Sequence, residues 1–158
     1  MKHLTISPKD FAKEVQQYGY KIEITKKDLV EVIEKDVEDK NSKIVLINKQ
    51  PVFFYYQQKL IPTLKYLQTN QLLKSITIDM GAIKFIVNGA DIMRPGIVEI
   101  EEGINKEDLV VIIDKNNKKP LAVGIALFNS NEMETITSGK AIKNIHYVGD
   151  ELWKFELK

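Results

Sequence analysis

The most informative segment of the chain, residues 78–97, reads IDMGAIKFIVNGADIMRPGI. Behind Asp79, its apolar residues Ile83 and Ile86 recur at helical spacing, so we expect a short helix over 81–88 that buries these two side chains. Glycines bracket this helix, and glycine is typical of tight turns and of close backbone contacts. The segment therefore predicts a short helix within a turn-rich part of the chain.

The rest of the second half predicts β structure around this helix. Seven of the eight glycines lie there, which favours many short strands joined by turns. The predicted strands are Ser75–Asp79, Ile97–Glu101, Leu109–Asp114, Leu121–Phe128 and Leu152–Leu157. Asn116 and Asn117 supply the turn between two of them. Short strands with one or two small helices favour a closed or half-closed β-barrel.

The first half predicts a smaller mixture of helix and strand. Ser7 and Pro8 are typical of a helix start, and Phe11, Val15 and Tyr18 follow on one helical face. Leu29–Lys35 fits either helix or strand, and the alternation of valine with glutamate favours a strand. Further along we expect two strands, Lys43–Asn48 and Val52–Gln58, joined by a hairpin turn at Lys49–Pro51. A short helix should follow over Pro62–Gln68.

Charge divides the chain at the same place as glycine content. The 158 residues carry a net charge of +1, which argues against indiscriminate coating of nucleic acid. Residues 1–75 hold 13 lysines and 9 acidic residues, whereas 76–158 hold 10 basic and 13 acidic residues. We place a domain boundary near Leu73 to Ser75, which gives domains 1–75 and 76–158.

Several kinds of catalytic or cofactor site are missing from the sequence. The chain has no cysteine, and its two histidines are far apart and lack the spacing of metal ligands. It contains no phosphate-binding loop, no dinucleotide-binding glycine motif and no nucleophile elbow. We therefore expect no catalytic residues, no metal and no cofactor. The N-terminus lacks an apolar targeting segment and the longest uncharged stretch is short, so we expect a cytoplasmic protein.

Two glycine-anchored motifs carry a family resemblance. Asp79–Ala82 reads D-x-G-A, and Gly89–Gly96 reads G-A-D-x-M-x-P-G. Together they resemble the signature of the PUA domain, the RNA-binding module named for pseudouridine synthases and archaeosine transglycosylases. Asn144–Trp153 is similar to the closing strand region of that domain. Pro51–Phe54 and Ile61–Leu64 resemble the pre-PUA half of the branch that contains the malignant T-cell-amplified sequence protein, ligatin and stand-alone archaeal relatives.

This resemblance implies an α+β protein, with a small α/β pre-PUA domain followed by a PUA β-pseudo-barrel. It also implies RNA binding without catalysis, and the lysine- and isoleucine-rich composition looks like that of an archaeal member. In eukaryotic relatives the resemblance implies handling of the small ribosomal subunit and of tRNA, together with a partner protein.

The residues suggest where RNA would bind. Lys84 and Asn88 share the outer face of the predicted helix, where they could contact phosphate, sugar or a base edge. Arg94 is the only arginine, and its planar fork suits phosphate or guanine, although a salt bridge to Asp91 or Glu99 fits equally well. The candidate RNA-binding residues are Lys84, Asn88, Arg94, Pro95, Gly96, Lys140, Lys143 and His146.

The members of that set outside the helix rest on different arguments. Gly96 permits a close backbone approach beside Pro95. Lys140 and Lys143 are expected to flank a turn and to extend the same face, although plain solvation explains surface lysines as well. His146 could stack on a base or pack inside the domain.

We therefore expect a non-enzymatic protein that recognises structured RNA, either tRNA or ribosomal RNA, during translation. Its expected partners are this RNA and either the small ribosomal subunit or a translation factor, with no membrane. The alternative is a protein-interaction module or an accessory subunit of a ribosome-associated or RNA-modification complex. That alternative rests on the aromatic run Phe53–Tyr56, of which two side chains should face outward beside Lys49, Lys59 and Lys65.

Overall fold

The structure is a computed structural model that describes residues 2–34 and 43–156. Its contacts divide the chain into two units, one reaching to Tyr66 and the other spanning Leu67–Glu156. Each unit is built on one β-sheet. The change of unit falls a few residues before the boundary predicted from charge and glycine content, and the first strand of the second sheet begins at Lys74.

The first unit is a five-stranded antiparallel sheet whose strands follow chain order, β1-β2-β3-β4-β5. Its elements are β1 (Lys2–Ile6), α1 (Pro8–Gln17), β2 (Val30–Glu34), β3 (Lys43–Ile47), β4 (Gln50–Tyr56) and β5 (Lys59–Pro62). A short helix, α2 (Leu64–Leu67), leads into the second unit. The alternation that favoured a strand at Val30–Glu34 is confirmed, and Lys35 lies outside the described residues.

Local sequence explains why α1 and the hairpins form. Ser7 accepts a hydrogen bond from the backbone of Asp10 at 3.3 Å. Phe11 and Val15 of the predicted apolar face are buried, whereas Tyr18 lies at the end of α1 and is 37% exposed. The turn between β3 and β4 is Asn48–Lys49, and both residues have positive φ, the geometry that a two-residue hairpin prefers. Gln57 and Gln58 do the same between β4 and β5. The turn between β3 and β4 begins one residue before the predicted turn Lys49–Pro51, because Gln50 and Pro51 already lie on β4. Strand β5 was not predicted, because glutamine gives no turn signal of the kind that glycine or asparagine gives.

The aromatic run of β4 is far less exposed than its alternation suggested. Phe53 and Phe54 are fully buried and Tyr56 is 2% exposed, so three of the four rings pack inside. Tyr55 is half-buried, and its hydroxyl donates a hydrogen bond to the Glu14 carboxylate at 2.7 Å. The prediction that two rings face outward is wrong, because alternation tells which face a side chain takes but not whether that face is covered.

The second unit is a six-stranded sheet in the order β7-β11-β10-β9-β6-β8, curled into a half-barrel. Its strands are β6 (Lys74–Ile78), β7 (Ile92–Met93), β8 (Ile97–Ile100), β9 (Leu109–Asp114), β10 (Pro120–Ala126) and β11 (Lys140–Tyr147). Its helices are α3 (Ile83–Ile86) and α4 (Ser130–Thr135). Neighbouring strands run antiparallel except β6 and β9, which are parallel. The predicted α+β class is confirmed.

A closely packed apolar core fills the curl of this sheet. It includes Ile76 and Ile78 of β6, Ile112 of β9 and Ile142 of β11, all fully buried. Ile86 of α3 joins them at 2% exposed, as the helical spacing predicted, whereas Ile83, which was expected to be buried with it, is only partly buried against this core. The helix is therefore fixed on the sheet through its apolar face, which leaves its other residues at the surface.

The chain ends differently from the prediction of a strand over residues 152–157. Residues 151–154 form turns, and Leu157 lies outside the described residues. The Asp150 carboxylate accepts hydrogen bonds from the backbone of Tyr147 at 2.9 Å and of Trp153 at 2.8 Å, which folds the chain back on itself. The last strand is instead β11, whose residues Asn144–Tyr147 lie in the segment that resembles the closing strand region of the PUA domain. Over residues 2–34 and 43–156, no helix has both the length and the apolar character to cross a membrane.

Candidate nucleic-acid interface

The motif segment folds around an apolar groove of about 470 Å³. The motif segment consists of a 3-10 turn at Met80–Ala82, then α3, then β7, and a second 3-10 turn at Arg94–Gly96. The groove is lined by Asp79, Gly81, Ala82, Phe85, Ile86, Ala90, Asp91, Ile92, Met93, Pro95 and Gly96. Phe85 is 58% exposed and Met93 is 49% exposed, so large apolar side chains face solvent at this site.

The helical segment begins with a 3-10 turn that is capped by Asp79. The predicted helix over 81–88 is a 3-10 turn followed by only four α-helical residues. The Asp79 carboxylate accepts the hydrogen bond of the Ala82 backbone amide at 3.0 Å. Because a carboxylate already occupies this amide, an RNA phosphate would be repelled there, and contact with phosphate falls to side chains.

Lys84 and Phe85 form a paired feature on the exposed side of α3. The Lys84 ammonium lies 5.1 Å from the centre of the Phe85 ring, within the range of a cation–π contact. Asn88 lies at the end of the helix, where its side-chain amide donates to the Lys84 carbonyl at 2.7 Å. A cation and an open aromatic face therefore stand together beside the groove.

Asn144 of β11 fixes the loop that follows α3. Its side-chain nitrogen donates to the carbonyls of Ile86 at 3.1 Å and Ala90 at 3.0 Å. Its backbone nitrogen donates to the Asp91 carboxylate at 2.8 Å. Three bonds from one residue hold both ends of residues 86–91, so the groove is shaped before any ligand arrives.

Asp91 sets the electrostatics of the groove wall. Burial raises the pKa of Asp91, but the hydrogen bonds from Lys140 and from the Asn144 amide, with the charges of Lys140 and Lys143, hold it below its usual range. The Lys140 ammonium lies 2.8 Å from this carboxylate, so its charge is locally balanced. The expectation that Lys140 and Lys143 flank a turn is wrong, because both lie on β11.

Arg94 bonds to neither of the carboxylates considered for it. Its Nε donates to the Met133 carbonyl at 2.7 Å and its Nη1 to the Ile97 carbonyl at 3.1 Å. Asp91 pairs with Lys140 instead, and Glu99 with Lys118 at 3.8 Å. The half-buried guanidinium therefore ties the second 3-10 turn to α4 and points its fork at backbone carbonyls.

Pro95 and Gly96 line the groove, as the sequence suggested for a close approach. A Cβ on Gly96 would lie 3.3 Å from the Cβ of Ala82, tighter than ordinary packing, so glycine lets the two 3-10 turns touch. His146 takes a different place: it is 1% exposed and its Nδ1 lies 2.8 Å from Asp150. This side chain does not reach the groove, and the expectation of an RNA contact is not kept.

Pro95 and Gly96 thus line the groove, and Lys84 reaches its edge through the contact with Phe85. Asn88 is bonded to Lys84, and Lys140 is linked to the groove through Asp91. Sequence reasoning missed Phe85, Met93 and the brace made by Asn144. For Phe85 a signal existed, because turning positions 83 and 86 inward on a helix turns position 85 outward. Nothing local marked Asn144, since its partners are more than fifty residues away in the chain.

Two family comparisons cover most of the chain. The PUA domain matches residues 74–148, and a domain of unknown function (DUF1947) matches residues 7–70. An uncharacterized protein of Methanocaldococcus jannaschii is 48% identical over 134 residues, which is 84% of this chain and 80% of that protein. Translation machinery-associated protein 20 of Saccharomyces cerevisiae is 34% identical over 160 residues, 93% of this chain and 86% of that protein.

Solved structures agree with this assignment. A hypothetical protein from Pyrococcus horikoshii superposes with a TM-score of 0.82 at 32% identity, covering 97% of this chain and 98% of that one. A conserved PUA domain protein from Thermoplasma acidophilum gives 0.77 at 29% identity, with coverage of 97% and 98%. An H/ACA ribonucleoprotein bound to a substrate RNA gives 0.50 at 28% identity, covering 61% of this chain and 29% of that one. The chain belongs to the family of PUA-domain proteins with a DUF1947 amino-terminal region that includes translation machinery-associated protein 20.

Proposed function

We propose that this protein is a non-enzymatic RNA-binding protein of translation that recognises structured RNA, either tRNA or ribosomal RNA. A relative at 34% identity is named for the translation machinery, and a structural neighbour belongs to a ribonucleoprotein bound to RNA. Both observations support an RNA partner and a cytoplasmic site of action. The small ribosomal subunit, or a translation factor bound to it, is the proposed larger partner.

The observation that carries this proposal is the pairing of Lys84 with Phe85 beside the groove. An open aromatic ring offers a stacking surface that is worth about 1–3 kcal/mol per base. The Lys84 ammonium, 5.1 Å from the ring centre, would then contact the phosphate of the stacked nucleotide. Because Asn144 has already ordered the loop, binding loses little conformational entropy.

The other candidate RNA-binding residues have different roles in this proposal. Asn88, Pro95 and Gly96 shape the surface that a nucleotide would touch. Lys143 would supply positive charge from β11, whereas the charge of Lys140 is already balanced by Asp91. Arg94 acts as a brace of the second 3-10 turn, since both of its recorded bonds run to backbone carbonyls. His146 is left out because it is buried.

The charge of the second half favours a small contact that selects shape. Residues 76–158 carry more acidic than basic side chains, so extensive coverage of an RNA backbone is disfavoured. A single module of this size makes a phosphate-led interface whose affinity falls with salt. We expect tight binding only where an RNA offers an unstacked base to Phe85 beside a phosphate for Lys84.

Equilibrium binding to unfractionated tRNA and to small-subunit ribosomal RNA tests the proposal. Measurements at about 50 and 200 mM salt should show binding that weakens with salt. A duplex DNA of similar length serves as the control for bulk charge, and we expect it to bind more weakly. If neither RNA binds at the lower salt, the proposed function is wrong.

The alternative of a protein-interaction module loses its main support, because Phe53, Phe54 and Tyr56 are buried. Co-purification with ribosomal fractions, with and without ribonuclease, separates the two functions. Loss of association after ribonuclease treatment supports RNA contact, whereas full retention favours the protein-interaction module.

A further inference from the structure

A lysine-rich turn joins β9 to β10 at the same end of the sheet as the groove. This basic turn, Asp114–Lys119, carries three lysines among six residues. Its position follows from the parallel pairing of β6 with β9, which sets Ile78 opposite Asp114. The Lys115 backbone nitrogen donates to the Ile78 carbonyl at 3.0 Å, so the basic turn borders the start of the motif segment, whose residues line the groove.

A buried carboxylate holds the basic turn in one conformation. Asp114 is only 3% exposed, and its carboxylate accepts hydrogen bonds from the backbone nitrogens of Asn117 at 2.5 Å and Lys119 at 3.2 Å. Its own carbonyl accepts from Lys118 at 3.1 Å. The backbone that carries the lysines is thus preorganised, which lowers the entropy lost on binding.

Lys118 occupies a backbone conformation that does not favour lysine. Its φ of 55° lies in the left-handed region, where glycine or asparagine costs less free energy. Strain of this kind at a surface turn is a reason to look for a role of the side chain itself. A lysine at this position adds a third positive charge to the basic turn.

The lysine charges of the basic turn are only partly balanced, because its own Asp114 leaves the turn with a net charge of +2. Within residues 2–34 and 43–156, no carboxylate forms an ion pair with Lys115 or Lys119. Lys118 lies 3.8 Å from Glu99, and both side chains are more than half exposed, so this pair is weak. The basic turn is therefore a concentrated positive feature on a half of the chain that is acidic in total.

We propose that the basic turn is a second RNA-contacting element that binds backbone phosphates of the same RNA that occupies the groove. This inference rests on the proposed function. Three ammonium groups on a fixed turn suit the phosphates of a backbone, which carry no sequence information. The groove would then select the nucleotide, and the basic turn would add affinity and set the direction in which the RNA leaves it.

A pair of charge-matched variants tests this proposal on the full chain. The test variant carries Lys115→Gln, Lys118→Gln and Lys119→Gln. The control variant carries Lys21→Gln, Lys26→Gln and Lys27→Gln, three exposed lysines of the first unit. Both variants lose three positive charges, so a difference between them reports position and not net charge.

The readout is the slope of log affinity against log salt, with unfractionated tRNA and small-subunit ribosomal RNA as probes. Each phosphate contact contributes about 0.7–0.9 to that slope, so we expect the test variant to lose about 2 units. The control variant should keep the wild-type slope. If the two variants change the slope equally, the basic turn is not a specific contact and the proposal is overturned.

The two proposals fail in distinguishable ways. If the wild-type chain binds RNA and the test variant binds with the same affinity and salt slope, the basic turn makes no RNA contact and the proposed function still stands. A wild-type chain that binds neither probe at about 50 mM salt overturns both.

Lys118→Gly separates a structural lysine from a functional one. Glycine relieves the left-handed backbone, so we expect a higher melting temperature. We expect weaker RNA binding from the same variant, because one phosphate contact is lost. Unchanged affinity in the stabilised variant would show that Lys118 makes no contact with RNA.

Discussion

Replacing Phe85 by alanine should separate RNA affinity from stability more cleanly than any other change in the groove. The ring is 58% exposed, so most of its surface contributes nothing to folding. We expect Phe85→Ala to remain folded and to bind structured RNA more weakly, because the variant removes the surface on which a base would stack.

The expected sizes of the two effects follow from the structure. About two-fifths of the ring is buried, or about 80 Å² of a large aromatic side chain, which at about 25 cal/mol per Å² is worth at most about 2 kcal/mol. Alanine retains part of that area and is a better helix former, so a stability loss near 1 kcal/mol is expected. Loss of one stacked base costs about 1–3 kcal/mol of binding, a decrease in affinity of about 5- to 150-fold.

The assay is equilibrium binding of tRNA by wild type and variants, with thermal unfolding measured on the same samples. Ile86→Ala is the matched contrast. Ile86 is next to Phe85 in the chain but is only 2% exposed, so its truncation should cost about 2–5 kcal/mol of stability. Phe85→Leu retains apolar area without a π face, so it distinguishes stacking from simple hydrophobic contact. A folded Phe85→Ala protein that binds RNA with wild-type affinity would refute the argument.

Three further changes test other parts of the structure. Gly124→Ala should lower the melting temperature by several degrees, about 1–3 kcal/mol or more, because its Cβ would lie 2.8 Å from the Lys143 carbonyl oxygen on β11. Arg94→Gln should lower the free energy of unfolding by about 1–3 kcal/mol by leaving the Met133 and Ile97 carbonyls without their donor, and unchanged stability in chemical denaturation would contradict the brace. Burial raises the pKa of Asp150, but hydrogen bonds from His146 and two backbone amides hold it below its usual range. Because the folded pKa is depressed, the stabilisation by Asp150 is present above about pH 4 and is lost as pH falls through the folded value. Asp150→Asn should therefore flatten the acid limb of a stability–pH profile, and an unaltered limb would show that this carboxylate does not contribute to it.

The sequence predicted the parts of the fold that depend on local patterns. The capped helix at Pro8, the hairpin of β3 and β4, and the burial of Ile86 all follow from spacing within a few residues. The glycine-anchored motif predicted the family, which the comparisons confirm. Strand β5 was missed because glutamine gives no clear turn signal. The turns after Asp150 were missed although Gly149 and Asp150 are typical turn residues.

The candidate site depends more on contacts between distant parts of the chain. Lys84 and Asn88 were found from helical spacing, but the partners of Arg94 lie on α4 and at the end of the second 3-10 turn. The burial of His146 follows from Asp150 and from the packing of β11, which a single sequence does not reveal. The type of side chain therefore predicted which residues could contact RNA. Hydrogen bonds between distant parts of the chain decide which of these side chains are already bonded within the protein.

Crosslinking of the full chain to RNA, followed by identification of the crosslinked peptides, tests the central claim most directly. With tRNA or small-subunit ribosomal RNA as the probe, we expect crosslinks within residues 79–96, centred on Phe85. Weaker crosslinks are expected at the basic turn. Crosslinks confined to the first unit, with none within residues 79–96, would contradict RNA binding at the groove.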